Sequence, residues 1–213
     1  VALEQTHGDY IYFVDSDDIV MPEALMILVK AMDSNKATFV KSDFLPIDEQ
    51  GKQVFINKKQ VIRRRYDGKV MDSEKFFKKI LMKEYFLWTC LFRKDIIVKN
   101  HIQFIPHCRL MEDAAFLADY LLYSDRNVYK DACVYGYRKY EGTVSAVNKD
   151  YTEDMMMVLK HTGRHKANLM MLLNSQMQKK HNQKYGSWWL RNTLKIENLF
   201  SRFYLLFKYQ IEK

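Results

Sequence analysis

The clearest feature of the chain is an apolar run with no polar interruption, residues 10–14 within "DYIYFVDSDDIVMPEAL". Its aromatic and β-branched residues predict a strand buried on both faces, of the kind found in mostly parallel sheets. Gly8 just before it suits the C-cap of a helix ending in "VALEQTH", so the chain opens inside a helix-to-strand unit. After the run, Pro22 at a first-turn position and Leu25, Leu28 and Val29 at helical spacing predict a helix over 22–32.

Further along, "ATFVKSDF" predicts a second strand over 37–44, and "DEQGKQVFI" a turn into a hairpin arm. Asp72 or Ser73 is placed to cap a helix in "EKFFKKILMKEYF". "WTCLFRKDII" predicts a strand and a short helix, "MEDAAFLADYLLY" a helix with Glu112 and Asp113 in its first turn, and "NVYKDACVYGYR" a strand or ribbon. From Asp150, with Glu153 three residues on as a capping box, the pattern is helical to the C-terminus. The expected architecture is an α/β domain over 1–150, its sheet mostly parallel and flanked by helices, followed by a basic helical extension over 151–213.

Composition narrows the class. A chain of 213 residues with 48% hydrophobic content can fill a core, which excludes disorder as the default. Seven Gly and three Pro are too few for a turn-dense sandwich or for flexible linkers. There is no charged n-region with an apolar h-region and no apolar run of about 18 residues, so neither secretion nor a transmembrane span is expected. Cys90, Cys108 and Cys133 are widely spaced with no CxxC, which disfavours a disulfide framework or zinc site and fits a reducing, cytoplasmic setting.

Charge is unevenly spread. Residues 151–213 hold 11 Lys/Arg against 4 Asp/Glu, while residues 1–150 hold 23 against 22, so nearly all of the net +8 belongs to the C-terminal third. That asymmetry points to an anionic surface near this end. From Trp189 onward the stripe Ile196, Phe200, Phe203 and Phe207 follows helical spacing, with Arg191, Lys195 and Arg202 off that face. It either packs on protein or docks at anionic lipid at the inner face of the membrane. The other basic stretch, "KQVIRRRYDGK", reads as a surface turn without aromatic interleaving, so no nucleic-acid partner is expected.

The candidate chemistry lies where the first apolar run ends. Asp15, Asp17 and Asp18 follow it directly, at the mouth of the expected sheet, where open α/β folds bind ligands. Carboxylates this close repel one another unless a cation lies between them. Capping of the following helix accounts for one of them and leaves the others unexplained. An EF-hand loop counted from Asp15 would need Gly at its sixth and Glu at its twelfth position; the chain has Val20 and Met26 there. An aspartyl-phosphate phosphatase, with Asp15 as nucleophile, stays as an alternative, although Ile19 stands where those enzymes usually carry Thr or Val.

Three separated stretches in order resemble the inverting nucleotide-sugar glycosyltransferases of family 2, which have the GT-A fold. "VALEQTHGDYIYFVDSDDIVMPEAL" is similar to the family's Gly-acidic-Tyr, apolar strand, Asp-Ser-Asp-Asp and Pro-led helix. "LWTCLFRKDIIVKNHIQFIPHCRLMEDAAFLADYLL" is similar to its Trp-bearing strand, R-x-x-I turn, I-x-F and the Glu-Asp that opens a helix. "VYGYRKYEGTVS" is similar to its closing Tyr-x-Tyr-Arg segment, except that Tyr140 replaces a common basic residue and Thr143 the first Ser, leaving Ser145. These matches cover about residues 1–146.

The resemblance implies that Asp15 and Asp17 form the DxD motif. Asp17 would coordinate Mn²⁺ or Mg²⁺ on the donor diphosphate, and Asp15 would touch the ribose or the metal shell. Ser16 and Arg138 would also contact the donor, expected to be a UDP-sugar. Asp113 would be the general base. Glu112, and Trp88 by stacking on a sugar face, would meet a saccharide or lipid-linked acceptor in cell-surface polysaccharide synthesis. The resemblance further implies that about three upstream strand–helix units, roughly 90 residues, precede Val1 in the family. On that reading the 10–14 strand lacks partners and the isolated chain is inactive and poorly soluble.

Each assignment has a plainer alternative. As a base Asp113 should stay ionised, because the dipole of a helix's first turn favours the anion; the plainer alternative is that Glu112 and Asp113 are ordinary first-turn acids. Trp88 sits in an apolar run, the usual setting of a core Trp. His101 and His107 are candidates for a third metal ligand, although lone histidines seldom ligate. Met155–Met157 and Met170–Met171 are simplest as core filler. A non-catalytic scaffold that kept the fold is the alternative to an enzyme.

Overall fold

The first apolar run becomes a strand, but a short one. The computed structural model describes residues 3–54, 58–109, 111–138 and 152–163. In it β1 is Tyr10–Tyr12, and the chain leaves the sheet before Val14, which is 50% exposed. The remaining elements follow in order: β2 Ile19–Val20, α1 Ala24–Ser34, β3 Phe39–Ile47, α2 Lys58–Arg63, β4 Val70–Met71, α3 Ser73–Phe76, β5 Cys90–Arg93, α4 Lys94–Lys99, α5 Glu112–Leu121, β6 Asn127–Arg138 and α6 Thr152–Gly163. The 22–32 helix thus starts two residues late, because Glu23 is held left-handed at φ 61. The stretch ending in "VALEQTH" gives a single 3-10 turn, Leu3–Gln5, rather than a helix.

The sheet has the order β1-β5-β3-β6-β2, with β4 also on β6. Only β3 and β6 pair in parallel; β1–β5, β3–β5, β2–β6 and β4–β6 are antiparallel. The expected mostly parallel sheet is therefore a mixed one dominated by antiparallel pairs. The reason is that an uninterrupted apolar run reports cover on both faces and says nothing of strand direction. β5 runs backwards between β1 and β3, and its apolar residues are as thoroughly covered as theirs. It also supplies the partner that β1 was expected to lack, through Tyr10↔Arg93, Ile11↔Phe92 and Tyr12↔Leu91. Since β1, β3 and β6 run one way and β5 the other, the ends of β1 and β6 and the start of β5 meet at one sheet edge.

Two apolar layers flank the sheet. On one face α1 packs Ala24, Leu28 and Met32 against Val40, Leu91, Val134 and Tyr135. On the other, α5 buries Ala114, Phe116 and Leu117 with Phe39, Phe92 and Phe76. Each fully buried side chain of this size contributes about 1.5–3 kcal/mol. Val158 and Leu159 of α6 join the second layer, so the helix just past the expected boundary at 150 is built onto the same core. The amphipathic stripe from Trp189 to Phe207 lies outside the described residues.

The expected cap of the 73–85 helix is present. Asp72 accepts the Lys75 N–H at 2.8 Å. The helix is brief, turning at Phe77–Leu81 into a π-type segment that ends on left-handed Met82. Asp72→Ala should lower stability by about 1 kcal/mol in urea unfolding. An unchanged midpoint would mean that the cap is redundant with the packing of Phe76.

Candidate active site

The aspartates sit on a tight turn just past β1. The Asp18 N–H donates to the Asp15 carbonyl at 3.3 Å, closing the four-residue turn. Strand β6 holds that turn from behind. The Asp15 N–H donates to the Tyr135 hydroxyl at 2.9 Å, the same hydroxyl bonds the Asp18 carboxylate, and the Arg138 N–H donates to Asp18 Oδ1 at 2.8 Å. Gly136 makes the close approach possible: a Cβ there would lie 3.0 Å from Ile47 Cδ1 and 3.3 Å from Met21 Cε. The three carboxylates therefore divide by role. Asp18 ties the turn to the sheet, while Asp15, Ser16 and Asp17 are exposed.

Helix α5 brings a second pair of acids to this edge. Its N-terminus follows Met111, which is left-handed at φ 66 and offers no side-chain cap. Burial pushes the Asp113 carboxyl up to about 7, aided by the negative charges of Glu112 and Asp15, against a hydrogen bond from the Leu87 N–H. Burial also raises Glu112, with Asp154 and Asp15 adding to it and its own N–H opposing. Asp15 is itself raised, first by burial and then by Asp18 and Asp17. The expectation that the helix dipole keeps Asp113 ionised thus needs correction. The dipole acts over one turn, and desolvation with two like charges outweighs it.

The Asp15 charge bears on both Glu112 and Asp113, which puts the end of β1 near the start of α5. Carboxylate oxygens are hard ligands of the type that suits Mg²⁺ or Mn²⁺. Among the described residues no three His, Cys, Asp or Glu side chains converge to hold a cation unaided. The set fits a cation that takes one or two carboxylates from the protein and the rest of its shell from substrate phosphate and water. Beside the same turn, the Arg138 Nε is buried without a hydrogen-bond partner among the described residues.

Residues 1–99, from before β1 through α4, match the model of "Glycosyl transferase family 2". That stretch of the chain is similar to this family. It includes the Asp15–Asp18 turn, while Glu112, Asp113 and Arg138 lie beyond it. The fold agrees: S. aureus TarS 1-349 in complex with UDP-GlcNAc superposes with a TM-score of 0.64 at 20% identity, covering 86% of this chain and 51% of that one. The same protein with UDP gives 0.62 at 17% identity, covering 86% and 50%. A longer S. aureus TarS structure gives 0.61 at 17% identity, covering 86% of this chain and 30% of TarS. The chain thus spans about half of TarS 1-349. No curated protein matches it significantly.

Other residues singled out in the sequence fall elsewhere. Trp88 is 6% exposed, and Phe86, Tyr135 and Tyr137 stack on it with centroids 4.7, 4.5 and 5.5 Å away. It is a core residue with no room for a sugar, so the acceptor-stacking role is withdrawn. His107 lines a cleft with Arg109, Glu153, Asp154 and Met157; His101 lines another with Phe104, Asp119 and His161. Neither cleft includes Asp15 or Asp17. Tyr140, Thr143 and Ser145 lie outside the described residues. No described helix is long and apolar enough to cross a membrane.

Two features escaped the sequence. Tyr135, the latch of the aspartate turn, looked like one more strand aromatic; its pairing with Gly136 in "YGY" was the available signal. "KQVIRRRYDGK" is not a surface turn throughout. Arg63 is fully buried, bonded to Asp43 at 2.6 Å, to Glu84 at 2.5 Å and to the Ile80 carbonyl at 2.6 Å. Beside it Lys41, also fully buried, donates to Thr89 at 2.6 Å.

Proposed function

We propose that the protein is a glycosyltransferase that moves a sugar, with inversion, from a nucleotide-diphosphate sugar to an acceptor hydroxyl. The observation that carries this is the nearness of Asp15 at the end of β1 to Asp113 at the start of α5, in a chain whose first 99 residues match the family 2 model. A UDP-sugar is the proposed donor, since the TarS neighbour holds UDP-GlcNAc. The acceptor is a saccharide or lipid-linked saccharide in cell-surface polysaccharide synthesis.

The chemistry divides between these two places. Inverting transfer needs an ionised carboxylate within reach of the acceptor hydroxyl, on the far side of the anomeric carbon from the leaving group. Asp113 takes that proton, and Glu112 beside it orients the acceptor. Asp17 and Asp15 would hold a Mn²⁺ or Mg²⁺ ion, which would supply Lewis-acid stabilisation of the departing diphosphate. Arg138 and Ser16 meet the same diphosphate. One base and one anion-stabilising centre suffice, unlike glycoside hydrolysis with its two carboxylates.

The test is thermal melting of the full-length protein with Mn²⁺ plus UDP, GDP or CMP, beside an Asp17→Ala variant. Ligand at 100 times its dissociation constant adds about 2.7 kcal/mol and should raise the midpoint by several degrees. The expected result is a metal-dependent rise with UDP that Asp17→Ala loses. No rise with any nucleotide would move the reading to a scaffold that kept the fold alone.

A further inference from the structure

The segment that leads into Asp113 has an unusual backbone. His107 and Met111 are both left-handed, at φ 62 and 66, with no Gly between them, and α5 begins without a side-chain cap. Such conformations persist where the surroundings over-determine them. Here the restraint comes from α6. Asp154, 1% exposed, accepts the Arg109 N–H on Oδ1 at 2.7 Å, and its backbone carbonyl accepts from Cys108 Sγ at 3.8 Å. Arg109 Nη2 also approaches Oδ2 at 3.5 Å, but the Arg109 side chain is 70% exposed and that contact is weak. The backbone bond to a buried carboxylate is the strong one.

Helix α6 is well anchored to serve as that restraint. Val158 and Leu159 are in the core, and His161 Nε2 meets Asp119 Oδ2 of α5 at 2.7 Å, seven residues and about 10 Å along the helix from Asp154. α6 thus grips α5 near its end and the turn before its start. From there Met111 passes the restraint on, its carbonyl accepting the Ala115 N–H at 3.2 Å in the first turn of α5.

We infer that Asp154 is a positioning residue for Asp113: by holding the turn at Arg109 it fixes where α5 starts, and so where the base carboxylate stands. The inference rests on the reading of Asp113 as the base. Asp154 is 1% exposed, and its effect runs through the turn.

The test uses the full-length protein with Asp154→Ala, Asp154→Asn, Asp113→Asn and the Asp113→Asn/Asp154→Ala pair. Amide exchange over 107–113 and steady-state sugar transfer are measured together. Asp154→Ala should speed exchange in that segment about tenfold and lower kcat about tenfold or more, with donor KM within about twofold. Asp154→Asn still offers an oxygen to the Arg109 N–H and should keep most of both. In the Asp113→Asn background, Asp154→Ala should have no further effect on kcat, as expected of residues acting as one unit. Multiplicative losses, equal losses from Asn and Ala, or a fall in kcat with exchange unchanged would each overturn the inference. If Asp154→Ala does not fold, Asp154→Ser supplies the same comparison. A wild-type protein that transfers no sugar would remove the enzyme reading, and the exchange data alone would then decide whether Asp154 holds the turn.

Discussion

Asp113→Asn is expected to lower kcat for sugar transfer by about 10²–10⁴-fold, the usual contribution of a positioned general base, while leaving the nucleotide-dependent melting shift in place. The amide keeps the size of the side chain and loses the proton-accepting oxygen charge. The pH profile gives a second reading of the same residue. With Asp113 pushed up to about 7, kcat/KM should rise with pH and level off above about 7, because only the carboxylate accepts a proton. A cation bound near Asp15 draws that value down, so the acid limb of kcat should lie at lower pH than that of kcat/KM. A flat profile between about pH 5 and 9 would remove Asp113 as the base.

The same substitution should raise stability at alkaline pH. Asp113 ionises near 3.9 in the unfolded chain and near 7 in the folded one, so between those values the native state binds more protons. Stability from this group is complete below about pH 4 and is lost as pH rises through about 7. Asn cannot ionise, so Asp113→Asn should melt above the wild type at about pH 8, and the gap should close below about pH 4. A residue that weakens the fold at neutral pH yet is needed for turnover would be kept for its chemistry. Equal melting temperatures across that range would mean that Asp113 is well solvated.

Arg63→Ala is expected to destabilise the protein by about 3–5 kcal/mol in urea unfolding, enough to unfold a marginal domain. The loss exceeds that of ordinary packing because fully buried Asp43 would lose its guanidinium partner and Glu84, nearly buried, would keep only its outer contact with Lys59 at 3.2 Å among the described ion pairs. Tyr129 would still donate its hydroxyl to Asp43. Burial raises the Glu84 carboxyl, but attraction to Arg63 and Lys41 outweighs it and leaves it below the usual range. That stabilisation is present above the ordinary Glu value and is lost as pH falls through the lowered one, so the wild type should weaken on strong acidification. Arg63→Ala should flatten this limb. A loss under about 1 kcal/mol would return Arg63 to the solvated turn suggested by "KQVIRRRYDGK".

Local chemistry was legible where neighbours along the chain do the work. The Asp72 cap, the existence of α1 and the Glu112–Asp113 start of α5 depend on residues within a few positions of one another, although of Leu25, Leu28 and Val29 only Leu28 is buried, Leu25 is 50% exposed, and Ala24 and Met32 take core positions instead. Strand direction was not legible, because the apolar runs of β1 and β5 look alike whichever way they run. The fate of Trp88 was not legible either: a Trp in such a run is buried or presented to a sugar according to what stacks on it, and Phe86, Tyr135 and Tyr137 come from two separate stretches. Arg63 was misread for the same reason. Its two carboxylates lie 20 positions before it and 21 after it.

The sequence by itself determined where the carboxylates are, that they end a strand or open a helix, and the family resemblance that gives them roles. Tertiary structure decided how they act. Packing β1 against β5 and β6 behind the aspartate turn separates Asp18, used as a tie, from Asp15 and Asp17, left exposed. Laying α5 on the sheet brings Asp113 near Asp15, and the resulting desolvation and like charge shift its titration into the neutral range. Seating α6 on α5 places a buried carboxylate under the turn before it. Periodicity marks the broad face of an element that turns inward, whereas proton affinity depends on the charges and burial that distant segments bring together.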